Sequence, residues 1–315
     1  MNKNINKLHI IAETACAHDG SLKRLLKIVD DIGKSGSEAI QFRVFDTKNT
    51  ITTNHPDYKK IKKLVLSKKE WIKCFSYTKK KFPKLEIISS VPSLEELVFC
   101  NKIGSDAFKL HSADLNNYEL LKGIAKIGKR IDLSVGASSL DEIKNSLKFL
   151  NKLNKKIKIW LMYGYQLFPT DPKKLNLKRI IKLNKIFNLD VGYQDHSPPN
   201  YLGYSIPSLA LGMGINIIEK HVTDKISRKG TDSASAIDSK NFHKFVSLCK
   251  EAKISIGSDK FGKFSDEEIK YRKYCKKNLF ISKDILKGTI LKKEDMRLLR
   301  SNKIGILADD MNKVL

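Results

Sequence analysis

Eight short apolar runs in this chain each end on side chains that can move protons or bind anions. In order, the ends carry Glu13, then Gln41 and Arg43, then Ser89 and Ser90, then Lys109, His111 and Ser112. Ser134 follows, then Tyr163 and Gln166, then Gln194, Asp195 and His196, and finally Glu219, Lys220 and His221. Side chains two apart on a strand share a face, so Gln41 goes with Arg43, Lys109 with His111, and Glu219 with His221. If the ends converge, one mouth holds cations, hydroxyls, carboxylates and imidazoles. That set suits a phosphorylated or carboxylated substrate together with a divalent metal. His196 and His221 are the candidate metal ligands, and two histidines with water suit Mn²⁺, Mg²⁺ or others. Lys109, flanked by apolar Phe108 and Leu110, is hard to read as a solvated surface charge.

Blander readings stand beside these. Ser112 and Ser134 are each ordinary turn residues on their own. His196 could simply cap a loop before Pro198 and Pro199, and His111 and His243 read as structural or surface histidines. The GKS at Gly33–Ser35 is no P-loop, because Ile28 stands where the first glycine is required. Gly33 reads instead as a helix stop.

The elements that must position these ends alternate regularly. Strands are expected at Leu8–Glu13, Ala39–Phe45, Glu86–Val91, Ala107–Ser112, Arg130–Gly136, Lys158–Gly164, Asp190–His196 and Ile215–Val222. Apolar stripes at helical spacing lie between them, such as Leu22, Leu25, Leu26 and Val29, or Leu120, Leu121, Ile124 and Ile127. Gly104, Gly128 and Gly214 sit where helices should stop. Eight such units predict an α/β fold, a (β/α)8 TIM barrel, in which all eight strand ends share one mouth. A doubly wound open sheet is the alternative. The charged stretch Phe261–Tyr274 reads as helix or linker, and SKDILKGTILKKEDM as two short strands about a Gly turn.

Composition narrows the field. The 315 residues are 41% hydrophobic, ample for a core and too apolar for a disordered polycation, despite a formal net charge of +26. Arg stands at only eight positions, 24, 43, 130, 179, 228, 272, 297 and 300, and all other basic residues are Lys, scattered along the chain. That is not the Arg-rich signature of a nucleic-acid reader. Five cysteines without a CxxC pair indicate reduced thiols rather than disulfides or a zinc knuckle. No apolar run has membrane-spanning length and the N-terminus lacks a signal-peptide core, so a soluble, cytoplasmic protein is expected.

Several segments in order resemble the sialic acid (N-acetylneuraminate) synthases and their pseudaminic and legionaminic relatives. IAETACAHDGS resembles the family's opening segment, and FKLHSADLNNYELLKGIAKIGKRIDLSVGASSLDEI its central stretch. FPTDPKKLNL, VGYQDHS and IIEKHVTDKISRKGTD resemble its later motifs, and SKDILKGTILKKEDMRLLR the start of its antifreeze-like (SAF, β-clip) domain. The resemblance implies a barrel over residues 1–262, a linker or helix over 263–277 and a partial antifreeze-like domain over 278–315. It implies condensation of phosphoenolpyruvate with an open-chain N-acetylhexosamine or diamino sugar, with loss of phosphate. On the matching positions, His196 and His221 would hold Mn²⁺ or Mg²⁺. Lys109, Ser112 and Ser134 would hold phosphoenolpyruvate, and Glu13 and Asp114 would be the active-site acids. Asp232 would bind sugar hydroxyls. Arg300 would serve the neighbouring subunit's sugar site in a homodimer.

The departures define what is particular to this chain. The family's Lys-Phe-Gln on its second strand is here Gln41-Phe42-Arg43, so the cation moves two residues along one face, roughly 7 Å. Val91 replaces a hydroxyl residue. Gln166 stands for an Asn, Phe168 for a Tyr and Gln194 for a Ser. The small domain stops at Leu315, short of the family pattern. These changes suit a synthase with an altered acceptor sugar. They leave open a catalytically inactive sugar- or phosphate-binding barrel, and a Schiff-base barrel aldolase as a third reading.

Overall fold

The computed structural model describes residues 7–302 and 305–313. Two compact units divide the chain, Met1–Gly257 and Ser258–Leu315. The first is a closed barrel of eight parallel strands: β1 (His9–Glu13), β2 (Ala39–Arg43), β3 (Glu86–Ser90), β4 (Ala107–Leu110), β5 (Arg130–Ser134), β6 (Ile159–Tyr163), β7 (Asp190–Asp195) and β8 (Ile217–Thr223). Each pairs with the next in chain order, and β1 closes the ring on β8, with Glu13 opposite His221. The closed ring settles the choice against an open sheet. All eight strands fall where the hydrophobic pattern predicts them, ending one or two residues earlier at most C-terminal ends.

The helices between them are α1 (Leu22–Gly33), α2 (Tyr58–Lys62), α3 (Lys68–Lys81), α4 (Leu94–Ile103), α5 (Tyr118–Ile127), α6 (Leu140–Leu153), α7 (Lys178–Phe187), α8 (Leu202–Gly212) and α9 (Phe242–Ile256). Ser67 with Glu70 and Ser139 with Glu142 form reciprocal caps that start α3 and α6. Gly104 and Gly128 end α4 and α5 in the left-handed conformation, as their positions predict. Gly33 differs. It is the last residue of α1, and a Cβ there would lie 2.4 Å from the Phe82 ring. Its role is close approach between segments, not left-handed backbone.

Alternation along the strands builds layers inside the barrel. Ile11, Ala39, Ile88, Ala107, Trp160, Met162 and Ile217 form an apolar plug. Two residues further along each strand, the inward positions become Glu13, Gln41, Ser90, Lys109, Gly164 and Glu219. The plug is the floor, and the polar layer above it is the site. The intervening outward residues, such as Ile40, Phe42, Phe108 and Leu110, pack under the helices in the main core.

In the second unit, α10 (Asp266–Cys275) precedes an antiparallel pair formed by a short strand Asn278–Ile281 and another at Met296–Leu299. This corrects the expectation for SKDILKGTILKKEDM. That stretch, apart from its last residue, is the connection between the strands rather than the strands themselves. Its apolar residues Leu286 and Ile290 are almost fully exposed, so their alternation reports no buried face.

Candidate active site

The strand ends enclose a cavity of about 200 Å³. Expected residues Glu13, Gln41, Arg43, Lys109, Gln166, Gln194, His196, His221 and Asp232 all line it, joined by Ala15, Ser90, His111, Phe168 and Glu219. Ser112 and Asp114 do not. They lie in a 3₁₀ turn just past β4, where the two-residue period has ended. The Ser112 hydroxyl is nonetheless buried and without a protein partner. Ser134 does not line it either, its hydroxyl donating to Gln194 Oε1 at 2.9 Å. Arg300 is exposed, directly after the last strand of the second unit.

Glu219 is the hub of the polar layer. One carboxylate oxygen accepts from the Lys109 ammonium and the other from Gln194 Nε2 at 3.0 Å. Lys109 and Glu219 are both almost wholly buried. Beside them, burial drives the Glu13 carboxyl well above its usual range and the Glu219 charge adds to this, while Lys109, the Ala15 N–H and Arg43 oppose it. Gln41 Oε1 and Gln166 Nε2 are buried with no protein partner, leaving an acceptor and a donor for a ligand.

The two histidines face each other at the mouth, ring centroids 5.2 Å apart and nearly perpendicular. Phe168 lies 4.2 Å from His196 and 5.5 Å from His221. His196 Nδ1 donates to the Tyr165 carbonyl at 2.8 Å, which leaves a lone pair on Nε2. His221 Nδ1 is buried without a partner. Burial lowers both imidazole pKa values, His221 well below its ordinary range, where His196, Lys220 and Lys109 lower it further. Two neutral imidazoles, one oriented by a carbonyl, are the donors a divalent cation requires. Among the described residues no group of three His, Cys, Asp or Glu side chains is arranged to hold a metal. A cation held by the pair would have to take its remaining ligands from water or substrate.

Arg43 and Asp232 form the outer rim. No carboxylate pairs directly with the Arg43 guanidinium among the described residues, and the guanidinium lies 5.4 Å from the Phe45 ring centroid. Asp232 stands in left-handed backbone at φ 63°, its loop drawn toward the first β–α loop by Asp19, which accepts from the Thr231 N–H at 3.4 Å. Burial raises the carboxyl pKa of both Asp232 and Asp114, and Arg43 opposes the rise in each.

Two glycines let the layer close. A Cβ on Gly136 would meet the Gly164 carbonyl at 2.2 Å, and one on Gly164 would meet the Gln194 carbonyl at 2.5 Å and its Cβ at 2.8 Å. Gly164→Ala is expected to push Gln194 away from Glu219 and to cost about 1–3 kcal/mol of stability. Thermal unfolding measures the cost, and a crystal structure of the variant measures the Gln194–Glu219 separation.

Fold and mouth together define the class of the sialic acid synthase barrels. The N-acetylneuraminic acid synthetase of Leptospira borgpetersenii superimposes with a TM-score of 0.76 at 28% identity, over 85% of this chain and 92% of that one. The chain belongs to the NeuB family, whose profile matches residues 28–261. The N,N'-diacetyllegionaminic acid synthase of Campylobacter jejuni is 30% identical over 301 residues, covering 91% of this chain and 88% of the relative. The pseudaminic acid synthase of the same organism is 28% identical over 308 residues, covering 93% and 87%. Among the described residues no helix is long and apolar enough to cross a membrane.

Three features of the mouth escaped the sequence reading. Glu219 was visible at a strand end, but not its central role, because its partner Lys109 lies 110 residues away. Phe168 was noted as a replacement and not as the ring against both histidines. His111, placed with Lys109 at the strand ends but given the bland reading of a structural or surface histidine, lines the cavity and is exposed at its rim.

Proposed function

We propose that this protein is a nonulosonic acid synthase that condenses phosphoenolpyruvate with an open-chain N-acetylhexosamine or diamino-sugar relative and releases phosphate. The observation that carries the reading is the juxtaposition of the paired imidazoles with the Lys109–Glu219 layer at one barrel mouth. The names of the relatives point the same way. A divalent cation, Mn²⁺ or Mg²⁺, held by His196 and His221 would supply Lewis-acid polarisation of the sugar aldehyde.

The chain's own groups account for the remaining chemistry. Arg43 and Lys109 balance the phosphate and carboxylate charge of phosphoenolpyruvate. Gln41, Gln166 and Asp232 orient the sugar. The methylene carbon of phosphoenolpyruvate bonds to the aldehyde carbon, and Glu13 gives its proton to the aldehyde oxygen. Water then adds to the cationic C2, and Glu13, now a carboxylate, takes a proton from it. The C2 hydroxyl then collapses to the ketone as the C2–O bond to phosphate breaks, its proton passing to the departing phosphate, and the proton lent by Glu13 has been returned. The same reading assigns Arg300 to the sugar site of a second subunit, and sedimentation showing only monomer at high concentration would contradict it.

The deciding experiment is phosphate release from phosphoenolpyruvate with Mn²⁺ and a panel of N-acetylated hexosamines and diamino sugars. No release with any acceptor, from folded protein that binds Mn²⁺, sinks the proposal. One observation favours a second reading, a binding barrel without turnover: Lys109 and Ser134 are already engaged by Glu219 and Gln194. Calorimetry separates the two, since binding of phosphoenolpyruvate that His221→Ala abolishes, without any turnover, supports the second.

Glu13 also carries a pH signature. Its folded pKa is raised, so between the ordinary carboxylate value and the folded value the native state binds more protons than the unfolded chain. Stability therefore falls as pH rises through that window. Glu13→Gln mimics the protonated form. It is expected to flatten this part of the profile and raise Tm at pH 7, while reducing turnover by about a hundredfold or more. Melting curves from pH 4.5 to 8 test the first part and phosphate release the second.

A further inference from the structure

A second buried ion pair lies on the outer side of the barrel wall, directly behind the histidines. Lys220 Nζ contacts Asp195 Oδ2 at 2.6 Å, and both side chains are wholly buried. Lys220 also donates to the Ser197 carbonyl at 2.9 Å. Asp195 Oδ1 accepts from the Tyr193 hydroxyl at 2.9 Å, and the Ser197 hydroxyl donates to Asp195 at 2.7 Å. The mechanism above uses none of these groups. An ion pair stripped of water adds little net stability, and well-packed apolar side chains would often serve folding better.

What the pair does possess is position. Asp195 immediately precedes His196, and Lys220 immediately precedes His221. The strands β7 and β8 run side by side with Asp195 directly opposite Lys220. His196 is further fixed by its ring bond to the Tyr165 carbonyl and by its own carbonyl, which accepts from the Thr170 N–H at 2.8 Å. His221 has no hydrogen bond to its Nδ1, so its ring depends on the backbone of Lys220 and on contact with Phe168 and His196. The turn after β7 also closes tightly over the pair. A Cβ on Gly203 would meet the Pro198 carbonyl at 2.7 Å and Lys220 Nζ at 3.4 Å.

We propose that Asp195 and Lys220 are positioning residues that clamp the ends of β7 and β8 and so set the separation of the two imidazoles. The consequence for affinity rests on the metal-dependent reading above; the clamp itself does not. Partners that orient metal-bound histidines typically matter ten- to a hundredfold in affinity.

The test is the charge-free double variant Asp195→Leu/Lys220→Met, which leaves no unpaired buried charge. Three measurements are made on it and on the parent: thermal unfolding, Mn²⁺ affinity by electron paramagnetic resonance, and long-range ¹H–¹⁵N spectra of the histidine rings. The expected result is a Tm equal to or above that of the parent, Mn²⁺ affinity lowered at least tenfold, and a shifted His196 Nδ1 signal. Parent-like affinity and an unmoved His196 signal in a folded variant overturn the clamp. If the parent itself does not bind Mn²⁺ but the His196 signal moves in the variant, the metal-dependent reading fails and the clamp stands. Should the double variant fail to fold, Tyr193→Phe with Ser197→Ala, which keeps the ion pair but removes its hydroxyl support, is measured in the same way. A fixed His196 signal there counts against the network.

Discussion

Lys109→Met is expected to lower kcat/KM by about a hundred- to a thousandfold and to destabilise the protein by about 3–5 kcal/mol. Both effects start from the same burial. Glu219 is as inaccessible as Lys109, and removing the ammonium leaves a carboxylate whose only other side-chain partner among the described residues is Gln194. That carboxylate must take a proton or remain uncompensated in a poorly solvating interior. In the proposed reaction the site would lose a fixed cation for the developing phosphate, and one such donor is worth roughly a hundred- to a thousandfold in turnover. The two losses separate in the double variant Lys109→Met/Glu219→Gln, which removes both charges. Stability is expected to return while turnover does not. Recovery of turnover in the double variant would show that Lys109 only neutralises Glu219.

Arg43→Gln is expected to weaken phosphoenolpyruvate by about 2–4 kcal/mol, seen as a KM raised roughly thirty- to a thousandfold with little change in Tm. Lys109 is already committed to Glu219, whereas Arg43 lines the same cavity with no carboxylate held directly against it. An arriving anion therefore meets Arg43 as its available guanidinium, which can bind a phosphate through two parallel N–H groups. A second readout accompanies the first. Burial raises Glu13, Asp114 and Asp232, and Arg43 opposes the rise in all three, so its loss should move any activity limb set by these acids to higher pH. Gln41→Lys/Arg43→Gln restores the order of the family pattern and is expected to recover most of the lost affinity. An unchanged KM in Arg43→Gln would remove this residue from the anion site.

Why so much of this was legible in the sequence follows from the period of a strand. Ile11 before Glu13, Ala39 before Gln41, Ala107 before Lys109 and Ile217 before Glu219 state, in each strand, where the plug stops and the site begins. Legibility failed where that period ends. Ser112 and Asp114 belong to a turn, and a turn sends its side chains where tertiary packing directs them, here off the cavity wall. Ser134 keeps the period, but its hydroxyl is taken by Gln194 from two strands away, a partner 60 residues distant. The Asp195–Lys220 pair faces outward, where pattern reading expects apolar side chains, and nothing local marks the two residues as partners. In the second unit, the expected strands fell on exposed Leu286 and Ile290, because alternation without burial carries no structural information.

The pairing of Glu13 with His221 across the junction of β1 and β8 makes the site a property of ring closure. The first and last strands contribute adjoining stretches of the wall, so no partly assembled barrel contains a half-working version. During synthesis the pocket comes into existence late, once β8 has been made and has found β1. Any ligand that bridges these two stretches then acts as a latch on the seam. It should slow amide hydrogen exchange there more than at β4 or β5, and loss of activity on mild denaturation should track opening of the seam before the rest of the barrel yields.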